Sequence, residues 1–195
     1  AVFVEFDFAV LHGMKDYVDA ANAVLAPLGA PVDAIAYARF FCGRTRAGGV
    51  TALLGRAGVV QEAPPLATQI MDGYKQALLA RAASVKSACA EFAAPLLEKS
   101  IHVVWVTQAD EAAVKEALGD AVKEGVQVLH EPSQYVGGYS WENWRRLCRR
   151  LDVHERLCAA VAGSGQSAKG AIAAGLYAAA CADPLAQSQD FGGID

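Results

Sequence analysis

The sequence has no run of about twenty strongly apolar residues, the length that a membrane-spanning helix needs. Much of its 54% hydrophobic content is alanine, which favours helices and buries little area per residue. Basic residues are also few, because 17 Lys and Arg are outnumbered by 21 Asp and Glu, giving a net charge of −4. Bulk electrostatic binding of a polyanion is therefore not expected. We predict no membrane span and no nucleic-acid partner.

Metal-ligand and disulfide patterns are missing as well. The 5 cysteines are an odd number without CxxC spacing, and several lie in apolar runs, where buried free thiols are common. The 4 histidines are isolated and show no ligand spacing. We expect no metal site and a reducing intracellular compartment, either cytoplasm or an organelle matrix. The first residue is Ala1 rather than an initiator Met, which leaves open a cleaved targeting peptide.

Apolar periodicity divides the chain into a helical part and an alternating part. A strand is predicted at 2–11, and Gly13 breaks it. Residues 14–92 are predicted to be almost wholly helical, with a turn at Pro64 and Pro65 before a long helix at about 67–92. Beyond this point the pattern changes period. Strands are predicted at 101–106, 126–129, 157–162 and 176–182, and helices at 110–118, 141–151 and 168–174.

Strands that alternate with helices at these lengths imply a parallel sheet. The first strand must join that sheet, because the helical part offers it no partner. We therefore predict an α/β protein with a Rossmann-like parallel-sheet core built from residues 1–13 and 93–195. A helical cap, residues 14–92, is inserted after the first strand.

In open parallel sheets, sites form at the carboxyl ends of the strands. Here those ends carry Glu5 and Asp7, then Thr107, and then the Gly163-Ser164-Gly165 turn. The acidic pair and the threonine are the candidate catalytic positions. The glycine-serine turn is the candidate site for a phosphate or another anion, because it precedes a helix.

The order and spacing of these segments resemble the haloacid-dehalogenase-like hydrolases whose helical cap follows the first strand. The likeness covers essentially the whole chain. Glu5-Phe6-Asp7-Phe8-Ala9 is similar to the family's D-x-D-G-[TV] motif after an apolar strand. The strand that ends at Thr107 is similar to the second motif, which ends in Thr or Ser. Residues 162–175 are similar to the fourth motif, an acidic pair followed by Ser and a small-residue helix.

The resemblance implies magnesium-dependent phosphatase chemistry, but this chain departs from it. Glu5 stands at the nucleophile position, and its extra methylene would move the carboxylate by about 1 Å, beyond the tolerance of a catalytic site. Asp7 is kept at the acid/base position, and Thr107 at the phosphate-binding position. Gly163 replaces a magnesium-binding Asp. The family's Lys is missing, since Tyr139 and Ser140 precede the helix at Trp141.

The leading hypothesis is a catalytically inactive domain of this fold. It would be a structural or interaction subunit with a protein partner, in a larger assembly such as an organellar one. An exposed aromatic face of Tyr135, Tyr139, Trp141 and Trp144 would be its binding surface. The only basic run, at Arg145, Arg146, Arg149 and Arg150, is interpreted as a solvated or partner-facing helix surface.

Two other functions stay open. The first is a diverged phosphatase or hydrolase that acts on a small phosphate ester, the only case in which magnesium would be required. The second is phosphate or nucleotide binding, because Gly163 to Ala168 fits G-x-G-x-x-A and Asp183 lies about 20 residues on.

Local alternatives also stay open at the acidic pair. Asp7 could be the nucleophile with Ala9 in the acid/base position. Glu5 and Asp7 could instead be polar strand-end residues, with Thr107 a helix N-cap.

Overall fold

The computed structural model describes residues 1–187 and 189–194. The predicted core segment 93–195 therefore contains two positions, Ser188 and Asp195, that lie outside the described residues. Within the described part of the chain, no helix is long and apolar enough to cross a membrane.

Five parallel strands form one sheet in the order β3-β2-β1-β4-β5. Their bounds are β1 Val2–Glu5, β2 Val103–Thr107, β3 Val126–His130, β4 Ala159–Ala162 and β5 Tyr177–Ala180. In register, Glu5 of β1 is paired with Val106 of β2, and Thr107 is paired with His130 of β3. The carboxyl ends of β1, β2 and β3 therefore meet at one edge. The predicted α/β class and parallel sheet are confirmed.

Eight α-helices accompany the sheet in the described residues. Their bounds are α1 Met14–Leu25, α2 Ala34–Ala36, α3 Arg46–Ala57, α4 Ala63–Ala82, α5 Lys86–Leu97, α6 Glu111–Leu118, α7 Trp141–Arg150 and α8 Gly165–Ala174. Side chains cap several of them; Asp110, for example, accepts from the amide of Ala113 at the start of α6. Helix α8 ends at Gly175, which has a φ of 97° and so takes the left-handed conformation that favours glycine.

Helices cover both faces of the sheet. On one face, Val4 and Trp105 belong to a core that includes side chains of α1, α3, α4 and α6. On the other face, Phe3 packs with Trp144 of α7 and Ala171 of α8. The predicted boundary at residue 92 falls inside α5, and the division of the chain into core and cap stays a prediction.

Three sequence expectations about local structure are wrong. The first strand ends at Glu5, and residues Phe6–Val10 form a π-helical turn instead. Pro64 and Pro65 lie in the first turn of α4, where a proline has no intrahelical N–H bond to lose. The long helix predicted at 67–92 is two helices, α4 and α5, with a 3₁₀ turn at Ala83–Val85 between them.

Candidate functional site

Glu5 lies at the end of β1 with both carboxyl oxygens bonded to its own chain. Its Oε2 accepts from the amide of Gly163 at 2.7 Å, and its Oε1 accepts from the hydroxyl of Ser167 at 2.7 Å. The side chain is fully buried. Burial raises the pKa of Glu5 to about 8, against the two hydrogen bonds, which lower it. The protonated form of the carboxyl is therefore favoured near neutral pH.

Asp7 lies two residues on, inside the π-helical turn, and faces the end of β2. Its Oδ1 accepts from the hydroxyl of Thr107 at 2.6 Å, and its Oδ2 accepts from the amide of Gln108 at 2.7 Å. Asp7 is also fully buried. Burial raises its pKa to about 6, while Thr107, Gln108 and the nearby Arg46 and Lys75 lower it. Asp7 is mostly ionised at pH 7 and already has two hydrogen-bond donors.

Thr107 lies at the end of β2, but it does not cap a helix. Its hydroxyl accepts from the amide of Ala109 at 3.0 Å while it donates to Asp7. The N-cap of α6 is Asp110, so the alternative role predicted for Thr107 is wrong. The alternative that both acidic residues end the first strand is wrong for Asp7, which lies beyond the strand. Glu5 is the last residue of β1, and which of the two carboxylates takes the nucleophile position stays a prediction.

The Gly163-Ser164-Gly165 turn follows β4 and opens α8. Besides the Gly163 amide, the amide of Gly165 is also occupied, because it donates to Oε1 of Gln189 at 2.9 Å. Ser164 is the N-cap of α8 and accepts from the amide of Ser167 at 3.1 Å. The turn uses its own polar groups internally, and neither glycine amide is free for an anion.

Asp183, the acidic residue of the dinucleotide-like pattern, is also committed to the fold. Its two carboxyl oxygens accept from the amides of Met14 and Leu185, at 3.0 and 2.9 Å. Asp183 is 1% exposed, so its carboxylate is not placed to meet a ribose.

Gly163 is where the resemblance puts a magnesium-binding Asp, and no side chain fits there. A Cβ at this position would lie 2.4 Å from the carbonyl carbon of Phe8 and 2.6 Å from the amide nitrogen of Ala9. Real Cβ atoms do not approach backbone this closely. The π-helical turn therefore occupies the space that a metal ligand from the fourth motif would need.

Magnesium does not fit the groups that the structure places here. Mg²⁺ takes oxygen ligands in near-octahedral geometry, usually one or two ionised carboxylates together with several waters. Glu5 is mostly protonated and is bonded to Gly163 and Ser167. Across residues 1–187 and 189–194, no group of three or more His, Cys, Asp or Glu is placed to hold a metal ion.

Three further side chains complete the surroundings of Asp7, two of them from helices in which no sequence pattern indicated a role at the site. Arg46 of α3 hydrogen-bonds Oε1 of Gln108. Tyr74 of α4 stacks on Phe8 with ring centroids 6.1 Å apart. Tyr139, which precedes α7, is fully buried. Only Tyr139 had a sequence signal, because it replaces the expected Lys.

The aromatic residues proposed as a binding face are largely core, which corrects that expectation. Tyr139 and Trp144 are 0% exposed, and their ring centroids lie 5.4 Å apart. Trp141 is 44% exposed, and Tyr135 is half-buried. The buried pair packs between the sheet and α8, so no continuous aromatic surface remains at this place.

The arginines of α7 mostly contact the protein itself. Arg146 pairs with the buried Glu131 at 2.8 Å, Arg150 donates to the carbonyl of His130 at 2.6 Å, and Arg145 lies over the ring of Trp141. That the protein binds no nucleic acid stays a prediction.

Searches with the sequence find no matching family model and no matching curated protein. Comparison of the structure does find similar folds. CbbY from Rhodobacter sphaeroides in complex with phosphate is 19% identical, with a TM-score of 0.67 over 100% of this chain and 91% of that one. A β-phosphoglucomutase from Clostridium difficile is 12% identical, with a TM-score of 0.65 over 91% and 82%. A predicted phosphoglycolate phosphatase from Haemophilus somnus is 14% identical, with a TM-score of 0.59 over 96% and 90%.

These neighbours define the class of fold. The chain has the α/β fold of the haloacid-dehalogenase-like hydrolases, as the sequence motifs predicted. At these identities the likeness concerns the fold, and the function has to be argued from the site.

Proposed function

We propose that this protein is a non-catalytic domain of the haloacid-dehalogenase-like fold that acts by binding a protein partner. The observation that carries the proposal is that both carboxyl groups of the site are hydrogen-bonded to groups of the protein itself. Glu5 is bonded to Gly163 and Ser167, and Asp7 is bonded to Thr107 and Gln108.

The nucleophile, the phosphate-binding hydroxyl and the metal ligand of phosphatase chemistry are each unavailable in this arrangement. A protonated Glu5 is a poor nucleophile, because attack on phosphorus needs an ionised carboxylate. The hydroxyl of Thr107, which would hold the transferring phosphate, donates to Asp7 instead. The backbone at Phe8 and Ala9 fills the place of a metal ligand at position 163. These three features act together, so one substitution would not restore the site.

Turnover tests the catalytic part of the proposal. The purified protein is assayed with magnesium against a panel of small phosphate esters, beside an Asp7→Asn variant. We expect no hydrolysis above that of the variant. Magnesium-dependent hydrolysis that Asp7→Asn abolishes would support the diverged phosphatase instead.

Exposed apolar side chains support the binding part. Leu157 is 78% exposed and Tyr177 is 70% exposed. Both line a cavity of about 810 Å³ at the amino-terminal ends of the strands. Asp7 lies at the opposite, carboxyl-terminal end. Large apolar groups exposed together around a concavity are typical of interaction sites.

Partner capture tests this surface. The wild-type protein and a Leu157→Asp/Tyr177→Asp variant are used as baits, and bound proteins are identified by mass spectrometry. Ile35→Asp is the matched control, because Ile35 of α2 is 76% exposed and does not line the cavity. We expect one reproducible partner that the double variant loses and the control keeps. A partner retained by all three baits would show that this surface is not the binding site.

A further inference from the structure

A cavity of about 280 Å³ lies between α5 and one face of the sheet. Its floor is one row of side chains across the sheet, because Trp105 of β2 and Val161 of β4 both pair in register with Val4 of β1. Helix α5, the π-helical turn and the residue after β5 supply the rest of the wall. These wall residues are Ala88, Cys89, Phe92, Ala9, Val10 and Cys181. We call this space the α5 cavity.

The indole of Trp105, in the wall of the α5 cavity, is a buried donor without an acceptor. Its Nε1 has no hydrogen-bond partner within the described part of the chain, and the residue is 1% exposed. Trp144, by contrast, donates from its Nε1 to the carbonyl of Ser167 at 3.0 Å. Nearly all buried polar groups in proteins are paired. An unpaired indole N–H in a cavity wall therefore indicates a ligand that brings the acceptor.

The α5 cavity is accessible from solvent. Phe92 is 40% exposed, although it is a large apolar residue, and its ring centroid lies 5.7 Å from that of Trp105. Cys181 is also exposed, and Val161 is half-buried. A small molecule can therefore enter past Phe92 and Cys181, with Trp105 at the buried end of its path.

The wall restricts the charge of a ligand. Among the described wall residues none is charged, and burial raises the pKa of the Cys89 thiol to about 12, so this group stays neutral. A charged ligand would lose its hydration here without gaining an opposite charge. A water molecule is also a poor occupant, because buried waters make about three hydrogen bonds. This wall offers it one strong donor and two thiols, which are weak partners.

The size of the cavity and the chemistry of the indole restrict the ligand further. An apolar cavity of about 150 Å³ holds one benzene molecule. A volume of about 280 Å³ therefore accommodates one ring with a short substituent, or two fused rings. The indole N–H only donates, so the ligand needs an acceptor atom at one end of an apolar body.

We propose that the α5 cavity binds a small, uncharged and mostly apolar molecule whose one acceptor oxygen bonds the indole N–H of Trp105. Its apolar body packs against Val4, Val161 and Phe92. Ligand sites in proteins commonly have this composition, an apolar wall with a few placed polar groups.

This site is separate from the surfaces discussed above. Glu5, Asp7 and Thr107 do not line it, and it shares no wall residue with the cavity of Leu157 and Tyr177. The inference therefore does not depend on the proposed binding of a protein partner.

NMR of the indole groups in ¹⁵N-labelled protein tests the proposal, with acetophenone as the probe. Ethylbenzene is the matched probe without oxygen, because it has a methylene in place of the carbonyl. Benzoate is the matched charged probe. The protein has 3 tryptophans, and Trp105→Phe assigns the signal of Trp105. Val161→Phe fills the floor of the cavity, and Val60→Phe is its control, because Val60 is 96% exposed and does not line the cavity.

Acetophenone is expected to move the indole proton signal of Trp105 to higher frequency, as a new hydrogen bond does. The signal of Trp144 should stay in place, since its N–H is already bonded. Benzoate should bind about 10-fold more weakly than acetophenone or worse. Val161→Phe should weaken acetophenone binding by about 10-fold or more, whereas Val60→Phe should bind it as the wild type does.

The affinities of the two uncharged probes isolate the hydrogen bond. From the wild type to Trp105→Phe, the affinity for acetophenone relative to ethylbenzene should fall about 3- to 10-fold, because only acetophenone loses a hydrogen bond. This ratio cancels the difference in hydrophobicity between the probes and the extra space that the variant opens.

Three results would overturn the proposal. Acetophenone leaves the Trp105 signal of the wild type unchanged, or it binds Val161→Phe as tightly as the wild type, or its affinity relative to ethylbenzene is the same in Trp105→Phe. The first result is measured on the wild type and needs no folded variant. Ester turnover or the failure of partner capture would refute the proposed function and leave these readouts unaffected.

Discussion

Gly163→Ala is the substitution on which the structure makes its sharpest prediction. The new Cβ would lie 2.4 Å from the carbonyl carbon and 2.5 Å from the Cβ of Phe8, and 2.6 Å from the amide nitrogen of Ala9. Two of these three contacts are with backbone, so no rotation of a flexible side chain can relieve them. The π-helical turn must move, and the bond from the Gly163 amide to Glu5 must lengthen.

The cost follows from these two effects. Overpacking of a buried site costs about 1–3 kcal/mol, and a weakened hydrogen bond adds about 1 kcal/mol. We expect Gly163→Ala to lower the free energy of unfolding by about 2–4 kcal/mol. For a chain of this size, that corresponds to a fall in Tm of about 4–16 °C. Urea and thermal unfolding followed by circular dichroism measure both quantities.

Gly55→Ala is the matched control. Gly55 lies within α3, and a Cβ there would meet nothing within 4 Å, so alanine should stabilise the helix by about 0.5–1 kcal/mol. If Gly163→Ala were within about 0.5 kcal/mol of the wild type, the closed site would be refuted. By the same argument, Glu5→Asp with Gly163→Asp should lose stability without gaining magnesium binding or turnover.

Three further predictions concern the neighbouring residues. Because the pKa of Glu5 is raised when folded, its contribution to stability is fully present below its unfolded value near 4.5 and is lost as pH rises through about 8; Glu5→Gln should flatten this part of the pH–stability curve, measured by urea unfolding between pH 4.5 and 8.5. Thr107→Val leaves Asp7 without one donor and should cost about 1–3 kcal/mol, with a double-mutant cycle against Asp7→Asn showing coupling; additive effects would contradict the bond. Trp144→Ala should lower the free energy of unfolding by about 3–5 kcal/mol because Trp144 is core, whereas Trp141→Ala should cost far less because Trp141 is half-exposed. Equal losses of unfolding free energy in chemical denaturation would contradict the assignment of Trp144 to the core and would support an exposed aromatic surface.

The sheet could be predicted because its strands carry strong local signals. Val103, Val104 and Val106 lie in a continuous β-branched run, as expected for a strand buried on both faces, and β1 had no partner other than this sheet. The end of β1 was harder. Phe6 and Phe8 continue the apolar run of the strand. A short continuous apolar run does not show by itself whether the segment is a buried strand or a helical turn.

The candidate site was predicted only where its residues lie in motifs. Glu5, Asp7 and Thr107 follow strands, so their meeting at one edge follows from parallel pairing. Arg46 and Tyr74 lie far away in the sequence, on helices whose packing against Asp7 no periodicity specifies. Ser167 lies within the glycine-rich pattern, but nothing in that pattern predicts its bond to Glu5. The bond uses the longer side chain of Glu5, the same feature that makes Glu5 unsuited to catalysis.

The titration of Glu5 tests the central claim most directly, because a closed site that buries this carboxyl away from water raises its pKa above the ordinary value. The protein is labelled with ¹³C at the glutamate carboxyls, Glu5→Gln assigns the signal, and the pH is varied with and without magnesium. We predict a pKa of about 8 that magnesium does not change. A pKa near the ordinary 4.5 that falls further when magnesium is added would contradict the account and show an open, metal-binding site.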